Sequence, residues 1–247
     1  MNSGIQYKRV MKILALVAAF NEERTIAHVI EDIHRAMPEA DICVVNDGSS
    51  DNTRSILDAH PHIKSLHLPF NMGIGGAVWT GFNFAVEQHY DFVFRIDGDG
   101  QHFPDQAKNL LAPLIKGEAD AVIGSRFLEK RGYQSSFPRR SGIKLLNILT
   151  GFILRRNITD NTSGFRAYNS TALRELIKDY PFDYPEPIEV YLLVRKGFRL
   201  QEVPATMRER QGGVSSISIL RTYYYLVKVL LTILVNFIGG RNESLSD

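Results

Sequence analysis

The segment Phe92-Val93-Phe94-Arg95-Ile96-Asp97-Gly98-Asp99-Gly100-Gln101-His102 decides the reading of the fold. Residues 92–96 have the length and character of a buried strand, and two carboxylates separated by one glycine follow at once. Gly98 and Gly100 let the backbone turn sharply and let a ligand come close. Asp97 and Asp99 offer the oxygen ligands that Mg²⁺ or Mn²⁺ takes when it bridges protein to substrate phosphates. Taken alone, Asp-x-Asp also reads as a polar turn or a helix cap. Its position after a strand, in line with other motifs, gives it meaning.

Upstream, strands alternate with helices. Ile13–Ala19 reads as a buried first strand, although Lys8, Arg9 and Lys12 before it imitate a signal peptide. Asn21-Glu22-Glu23 follows too soon for that, with Asn21 as N-cap of a helix over 25–36. A second strand spans 41–46, a turn follows at Asp47-Gly48-Ser49-Ser50-Asp51, and a helix covers 53–60. A third strand covers 63–68, Asn71–Gly76 forms a glycine-rich turn, and a helix covers 77–88. This alternation predicts an α/β fold with a mostly parallel sheet flanked by helices. Ligands then bind beyond the carboxyl ends of the strands, where Phe20-Asn21-Glu22, Asn46-Asp47-Gly48 and Asp97-Gly98-Asp99 all fall.

Gly73 and Gly75 imitate a dinucleotide fingerprint, but its third position is Val78 and the turn follows the third strand, so nicotinamide binding is rejected. The second half is less regular. A strand is expected at Ala121–Ser125, a basic loop at 129–140, helices at 141–156, 172–178 and 186–196, and a strand at 200–203.

The chain has 247 residues and is 44% hydrophobic, enough to fill a globular core. Its single cysteine, Cys43, lies in an apolar run, which excludes a disulfide framework within the chain and fits a reducing compartment. A net charge of +2 hides a basic block, since residues 126–166 carry nine Lys/Arg against two Asp/Glu. Such a block suits phosphates or anionic lipids. No recognition module accompanies it, so nucleic acid is not an expected partner. Residues 217–238 form a long apolar helix in which Arg221 and Lys228 argue against a simple span. Ser218, Arg221, Tyr225, Lys228, Thr232 and Asn236 fall on one stripe, as in an amphipathic helix lying in a membrane interface. Tyr223-Tyr224-Tyr225 is a candidate contact for a homo-oligomer or a small membrane partner. The tail 239–247 reads as disordered.

The ordered set Ala18-Ala19-Phe20-Asn21-Glu22-Glu23, Val44-Val45-Asn46-Asp47-Gly48-Ser49-Ser50-Asp51, Asn71-Met72-Gly73 with Gly76, Asp97-Gly98-Asp99-Gly100-Gln101-His102 and Gly124-Ser125-Arg126 resembles family 2 glycosyltransferases of the GT-A fold. Ser163-Gly164-Phe165-Arg166-Ala167-Tyr168 and the segment from Val203-Pro204 to Ser215-Ser216 resemble the dolichyl-phosphate mannose synthase and polyprenyl-phosphate glycosyltransferase branch. The resemblance implies a GT-A domain over residues 1–216 and a metal held by Asp97, Asp99 and Gln101. It implies a nucleotide-sugar site at Ala18, Phe20, Glu22, Val45, Asp47, Gly76, Asp97, Asp99 and Arg210. It further implies an acceptor site at Arg126, Arg131, Arg140, Ser163 and Arg166, with Asp97, Asp99, Arg126, Arg140 and Arg210 carrying catalysis. Mannose synthases have Lys where this chain has Ser216, which shifts the expectation from a mannose donor toward a related bacterial-type transferase.

The expected reaction is inverting transfer of one sugar from a UDP- or GDP-linked donor to a polyprenyl phosphate, by a peripheral protein at the cytoplasmic face of the membrane. Two alternatives remain. A hydroxyl acceptor on a glycan or glycoconjugate would need a carboxylate base, for which Glu186 and Glu189 are candidates. A non-catalytic nucleotide-sugar-binding subunit would need none.

Overall fold

The computed structural model describes residues 11–129 and 137–208, together with Lys228, Val229, Leu231, Thr232 and Val235. Among the described residues seven strands form one sheet: β1 (Ile13–Ala19), β2 (Ala40–Asn46), β3 (Lys64–His67), β4 (Phe92–Asp97), β5 (Ala121–Ser125), β6 (Arg166–Asn169) and β7 (Leu200–Pro204). Their order is β3-β2-β1-β4-β6-β5-β7. All pairs are parallel except those of β6, which runs antiparallel to both β4 and β5. The helices named among the described residues are α1 (Ile26–Ala36), α2 (Thr53–Asp58), α3 (Gly73–Glu87), α4 (Ala107–Ile115), α5 (Phe137–Leu154), α6 (Ser170–Leu176) and α7 (Pro185–Arg195).

Strand β1 is buried along its whole length because helices cover both faces of the sheet. Ala15, Val17 and Ala19 face Ile26, Ile30 and Ile33 of α1 and Leu110 of α4. Leu14, Leu16 and Ala18 face Val78, Phe82 and Ala85 of α3. This period of two is what a central strand requires, and each fully buried Val or Leu contributes about 1.5–3 kcal/mol. Cys43 sits in the α3 layer, and burial pushes its thiol up to about 12, so it packs as a small apolar group.

The register brings three strand ends to one level. Ala18 pairs with Val45 on one side and Asp97 on the other. The loops after β1, β2 and β4 therefore leave the sheet together.

Several boundaries differ from the sequence reading. Asn21 is not an N-cap: its φ is 55°, and α1 begins at Ile26 after Thr25. Residues 73–76 belong to α3 rather than to a turn, and Gly75 allows this close approach, since a Cβ there would lie 2.0 Å from the Phe182 carbonyl oxygen. Helix α5 starts four residues before the expected 141. Helix α4 and the antiparallel strand β6 were not anticipated. Most of the helix expected at 217–238, and the tail beyond it, lie outside the described residues. The five described positions from Lys228 to Val235 are helical.

Candidate active site

The loops after β1 and β2 are stapled to each other by side chains. Asn21 N–H donates to Ser49 Oγ (2.9 Å), and Ser50 N–H donates to Asn21 Oδ1 (2.8 Å). Glu22 N–H donates to Thr53 Oγ1 (2.9 Å), and Asn52 N–H donates to Glu23 Oε2 (3.0 Å). Thr25 Oγ1 then donates to the Gly98 carbonyl (2.8 Å), tying in the loop after β4. The polar clusters at 21–25 and 49–53 thus rigidify a rim, which holds its functional groups more precisely than free loops could.

Inside the rim lies a cavity of about 480 Å³. Ala18, Phe20, Glu22, Asp47, Asp97 and Asp99, all expected in the nucleotide-sugar site, line it together. Phe20 is 46% exposed and offers an aromatic face. Asp47 accepts from Met72 N–H (2.7 Å) and from Asn71 Nδ2 (3.0 Å), so it orders the approach to α3. Burial raises its pKa, and the backbone hydrogen bonds from Met72 and Gly73 offset part of that rise.

Asp97 ends β4, and its Oδ1 is buried with no hydrogen-bond partner. Gly164 closes in behind: a Cβ there would sit 2.9 Å from Asp97 Oδ2. Asp99 is nearly buried and accepts Gln101 N–H at Oδ1 (3.0 Å). An unsatisfied carboxylate oxygen in a polar cavity, beside a second carboxylate, fits a hard divalent cation that completes its shell with substrate oxygens. Among the described residues no group of three or more His, Cys, Asp or Glu is assembled to hold a metal. Gln101 donates its Nε2 to the Arg208 carbonyl (3.3 Å) and does not line the cavity.

His102 supports this floor. Asp97 N–H donates to its Nδ1 (3.2 Å), and the ring stacks on Phe165 at 5.0 Å. Burial lowers its pKa despite the nearby Asp97 and Asp99.

Other expected residues lie elsewhere. Val45 is fully buried in the α3-side core, and Gly76 is buried in α3 against Met72; neither lines the cavity. Ser163 is fully buried. Arg126 is bound by both oxygens of buried Asp160 (2.6 and 2.7 Å) and by Thr162. Arg166 is 1% exposed and gives its nitrogens to Ser163 O, Asn161 O, Glu186 O and Glu189. Arg131 and Arg210 lie outside the described residues, as does the side chain of Arg140, whose backbone is in α5.

Of the two candidate bases, Glu189 is fully buried and bonded to Arg166, Tyr168 and Tyr180. Glu186 faces the cavity. The sequence reading did not single out Arg95, although a lone cation inside the apolar run 92–96 was a visible signal. Its Nη2 lies 2.7 Å from Glu186 Oε1.

The family described as Glycosyl transferase family 2 matches residues 15–177. The chain is 31% identical over 220 residues to the polyprenol monophosphomannose synthase of Mycolicibacterium smegmatis, with 84% of this chain and 81% of that one covered. It is 32% identical over 222 residues to the undecaprenyl-phosphate mannosyltransferase of Micrococcus luteus, covering 84% and 88%. In fold it resembles the Mycobacterium tuberculosis glucosyl-3-phosphoglycerate synthase crystallised with Mn²⁺, UDP and phosphoglyceric acid, with a TM-score of 0.69 at 20% identity over 90% of this chain and 78% of that one. The sheet is accordingly of the GT-A type, and the chain belongs to glycosyl transferase family 2, as an enzyme that transfers sugar.

Proposed function

We propose that the protein transfers one sugar from a nucleotide-diphosphate sugar to a polyprenyl phosphate, with inversion, at the cytoplasmic face of a membrane. The observation that carries this reading is the convergence of Phe20, Glu22, Asp47, Asp97 and Asp99 on one cavity. The mannosyltransferase relatives, whose names specify polyprenyl acceptors, support the choice of acceptor.

Phe20, Glu22 and Asp47 would hold the nucleoside, by an aromatic face and by carboxylates that accept hydroxyl or base protons. Asp97 and Asp99 would hold Mg²⁺ or Mn²⁺; Gln101, which lies outside the cavity lining, would have to turn its Oε1 inward to join them. That cation supplies neutralisation of the charge that builds on the departing diphosphate. A phosphate monoester, with a second pKa of about 6, is already ionised at neutral pH. One of its oxygens can form the new bond to the anomeric carbon as the bond to the diphosphate breaks, and no protein base is needed. Arginines of the basic block, Arg126, Arg131 and Arg140, would orient that phosphate for in-line attack, and Arg210 would lie near the donor diphosphate.

The test is incubation with undecaprenyl phosphate and labelled UDP-, GDP- and dTDP-sugars. A product that extracts into organic solvent and is labile to mild acid is expected. Label found only on soluble glycans would refute the lipid acceptor in favour of a hydroxyl one. Chelation of divalent cations should abolish turnover, and Mg²⁺ or Mn²⁺ should restore it. Asp99→Asn should lower kcat by at least about 100-fold, the scale of losing one transition-state charge partner; undiminished turnover would remove the metal assignment.

A further inference from the structure

The inner wall of the cavity carries a pair of charges, Arg95 and Glu186, to which the proposed function gives no role. Arg95, 1% exposed on β4, lies 2.7 Å from Glu186 Oε1 and 3.7 Å from Asp97 Oδ1 through Nη2, and 3.7 Å from Glu189 Oε1 through Nη1. Arg95 is a fixed cation, because a guanidinium stays protonated in proteins.

Glu186 is fixed as well. Pro185 and Pro187 flank it at the start of α7, its carbonyl accepts Arg166 Nη1 (2.8 Å), and its Oε1 accepts Arg95. Among the described residues no donor is bonded to its second carboxylate oxygen, although the side chain, 16% exposed, lines the cavity beside Asp97. A carboxylate immobilised at one oxygen and open at the other is organised in advance to accept hydrogen bonds from a ligand.

The sheet says which part of the donor reaches it. Along the order β2-β1-β4-β6, the cavity meets Asp47, then Glu22, then Asp97, and then Glu186, whose backbone is bound by Arg166 of β6. A nucleotide sugar with its nucleoside at Asp47 and its diphosphate at Asp97 therefore lays its sugar against Glu186. A carboxylate there repels an acceptor phosphate but accepts the protons of neutral hydroxyls.

We infer that Glu186 is the ligand of a hydroxyl on the transferred sugar, positioned by Arg95, and that this pair sets which sugars the enzyme accepts. The inference rests on the donor site proposed above and is independent of the acceptor. Calorimetry in Mg²⁺ or Mn²⁺ tests it with UDP-glucose, UDP-N-acetylglucosamine and GDP-mannose, each against UDP or GDP alone. Glu186→Ala should weaken the tightest nucleotide sugar about tenfold or more and leave its free diphosphate within about twofold, a control that also reports the fold. Glu186→Gln, which keeps an acceptor oxygen, should recover part of the loss. Arg95→Lys should raise the donor KM more than it lowers kcat.

Equal weakening of sugar and diphosphate, or no weakening of either, would overturn the inference. So would a loss of kcat with unchanged nucleotide-sugar affinity, which would make Glu186 a base for a hydroxyl acceptor. Failure of lipid-phosphate transfer would leave these binding ratios readable, so the two readings fail separately.

Discussion

Asp97 shows how a single side chain is prepared by its neighbours. Its Oδ1 is buried without a hydrogen bond, a state that costs about 1–3 kcal/mol unless a ligand relieves it. Gly164 leaves just enough room, because a Cβ would sit 2.9 Å and 3.2 Å from the two carboxylate oxygens and 3.3 Å from Arg95 Nη2. Gly164→Ala should therefore push the carboxylate and the guanidinium apart without touching substrate. A displacement of this size should cost about 10- to 100-fold in kcat, with a higher half-saturating concentration of Mn²⁺. Steady-state rates over a Mn²⁺ titration would show it, and an unchanged titration would mean that the floor can absorb a methyl group. Arg95 was harder to read in advance than Asp97. Its charge is stabilised by Glu186 and Glu189, which arrive from α7 some 90 residues later, and no local pattern encodes that meeting.

At the level of elements, the corner where β5, β6 and β7 meet depends on one carboxylate. Asp120 Oδ2 accepts from the Arg199 backbone N–H (2.9 Å) and Nε (3.0 Å), while its Oδ1 accepts from Arg199 Nη2 and Asn169 Nδ2 (2.9 Å each). The side-chain hydrogen bonds from Arg199 lead in pulling its pKa from 3.8 to about 2. Since the folded value is the lower one, the stabilisation is complete above the unfolded value and fades as pH falls from 3.8 toward 2. Asp120→Asn should cost about 1 kcal/mol near neutral pH, the upper range for an exposed pair. Thermal melts should show the gap to the unsubstituted protein closing as pH approaches 2; a gap independent of pH would mean that packing, not charge, is lost. This corner was the part of the sheet that sequence described least well. Strands β1, β2 and β4 were legible because each is an apolar run followed by a polar turn. Strand β6, Arg166-Ala167-Tyr168-Asn169, is four residues long and begins with a buried arginine, so it carries neither signal. Helix α4 contains Pro113 and begins within the polar stretch after Asp99, which hid its start. Helix α3 begins at glycines that propensity assigns to a turn; close packing against Phe182 decides otherwise.

On the scale of the whole molecule, the proposed lipid acceptor would require the basic block and the apolar helices to present the site to a membrane. Among the described residues no helix is long and apolar enough to cross a membrane. Helix α5 is anchored inward by Leu146, which packs with Tyr191 and Val229, and by Asn147, which donates to the Thr159 carbonyl. One turn apart on its outer side, Ile148 and Phe152 are 58% and 84% exposed. The C-terminal helical residues repeat the arrangement: Val229 is buried and Lys228 pairs with Asp183, while Leu231 and Val235 are 55% and 67% exposed. Described residues that bind the body on one side and show large apolar side chains on the other would suit the surface of a bilayer, and nearby Arg155 and Arg156 would add attraction to anionic headgroups. If that is how the enzyme meets its acceptor, it should float with vesicles of anionic phospholipid and do so less as salt rises from about 0.05 to 0.5 M, since the Debye length shrinks about threefold over that range. The double substitution Ile148→Glu/Phe152→Glu should cut flotation at least about fivefold. It should leave the melting temperature nearly unchanged, because neither side chain is part of the core. The same variant should keep its affinity for the free nucleoside diphosphate and lose turnover only with vesicle-borne polyprenyl phosphate. Flotation equal to that of the unsubstituted protein would show that this face does not touch the membrane, and a parallel loss on a detergent-solubilised acceptor would place the defect in the site instead.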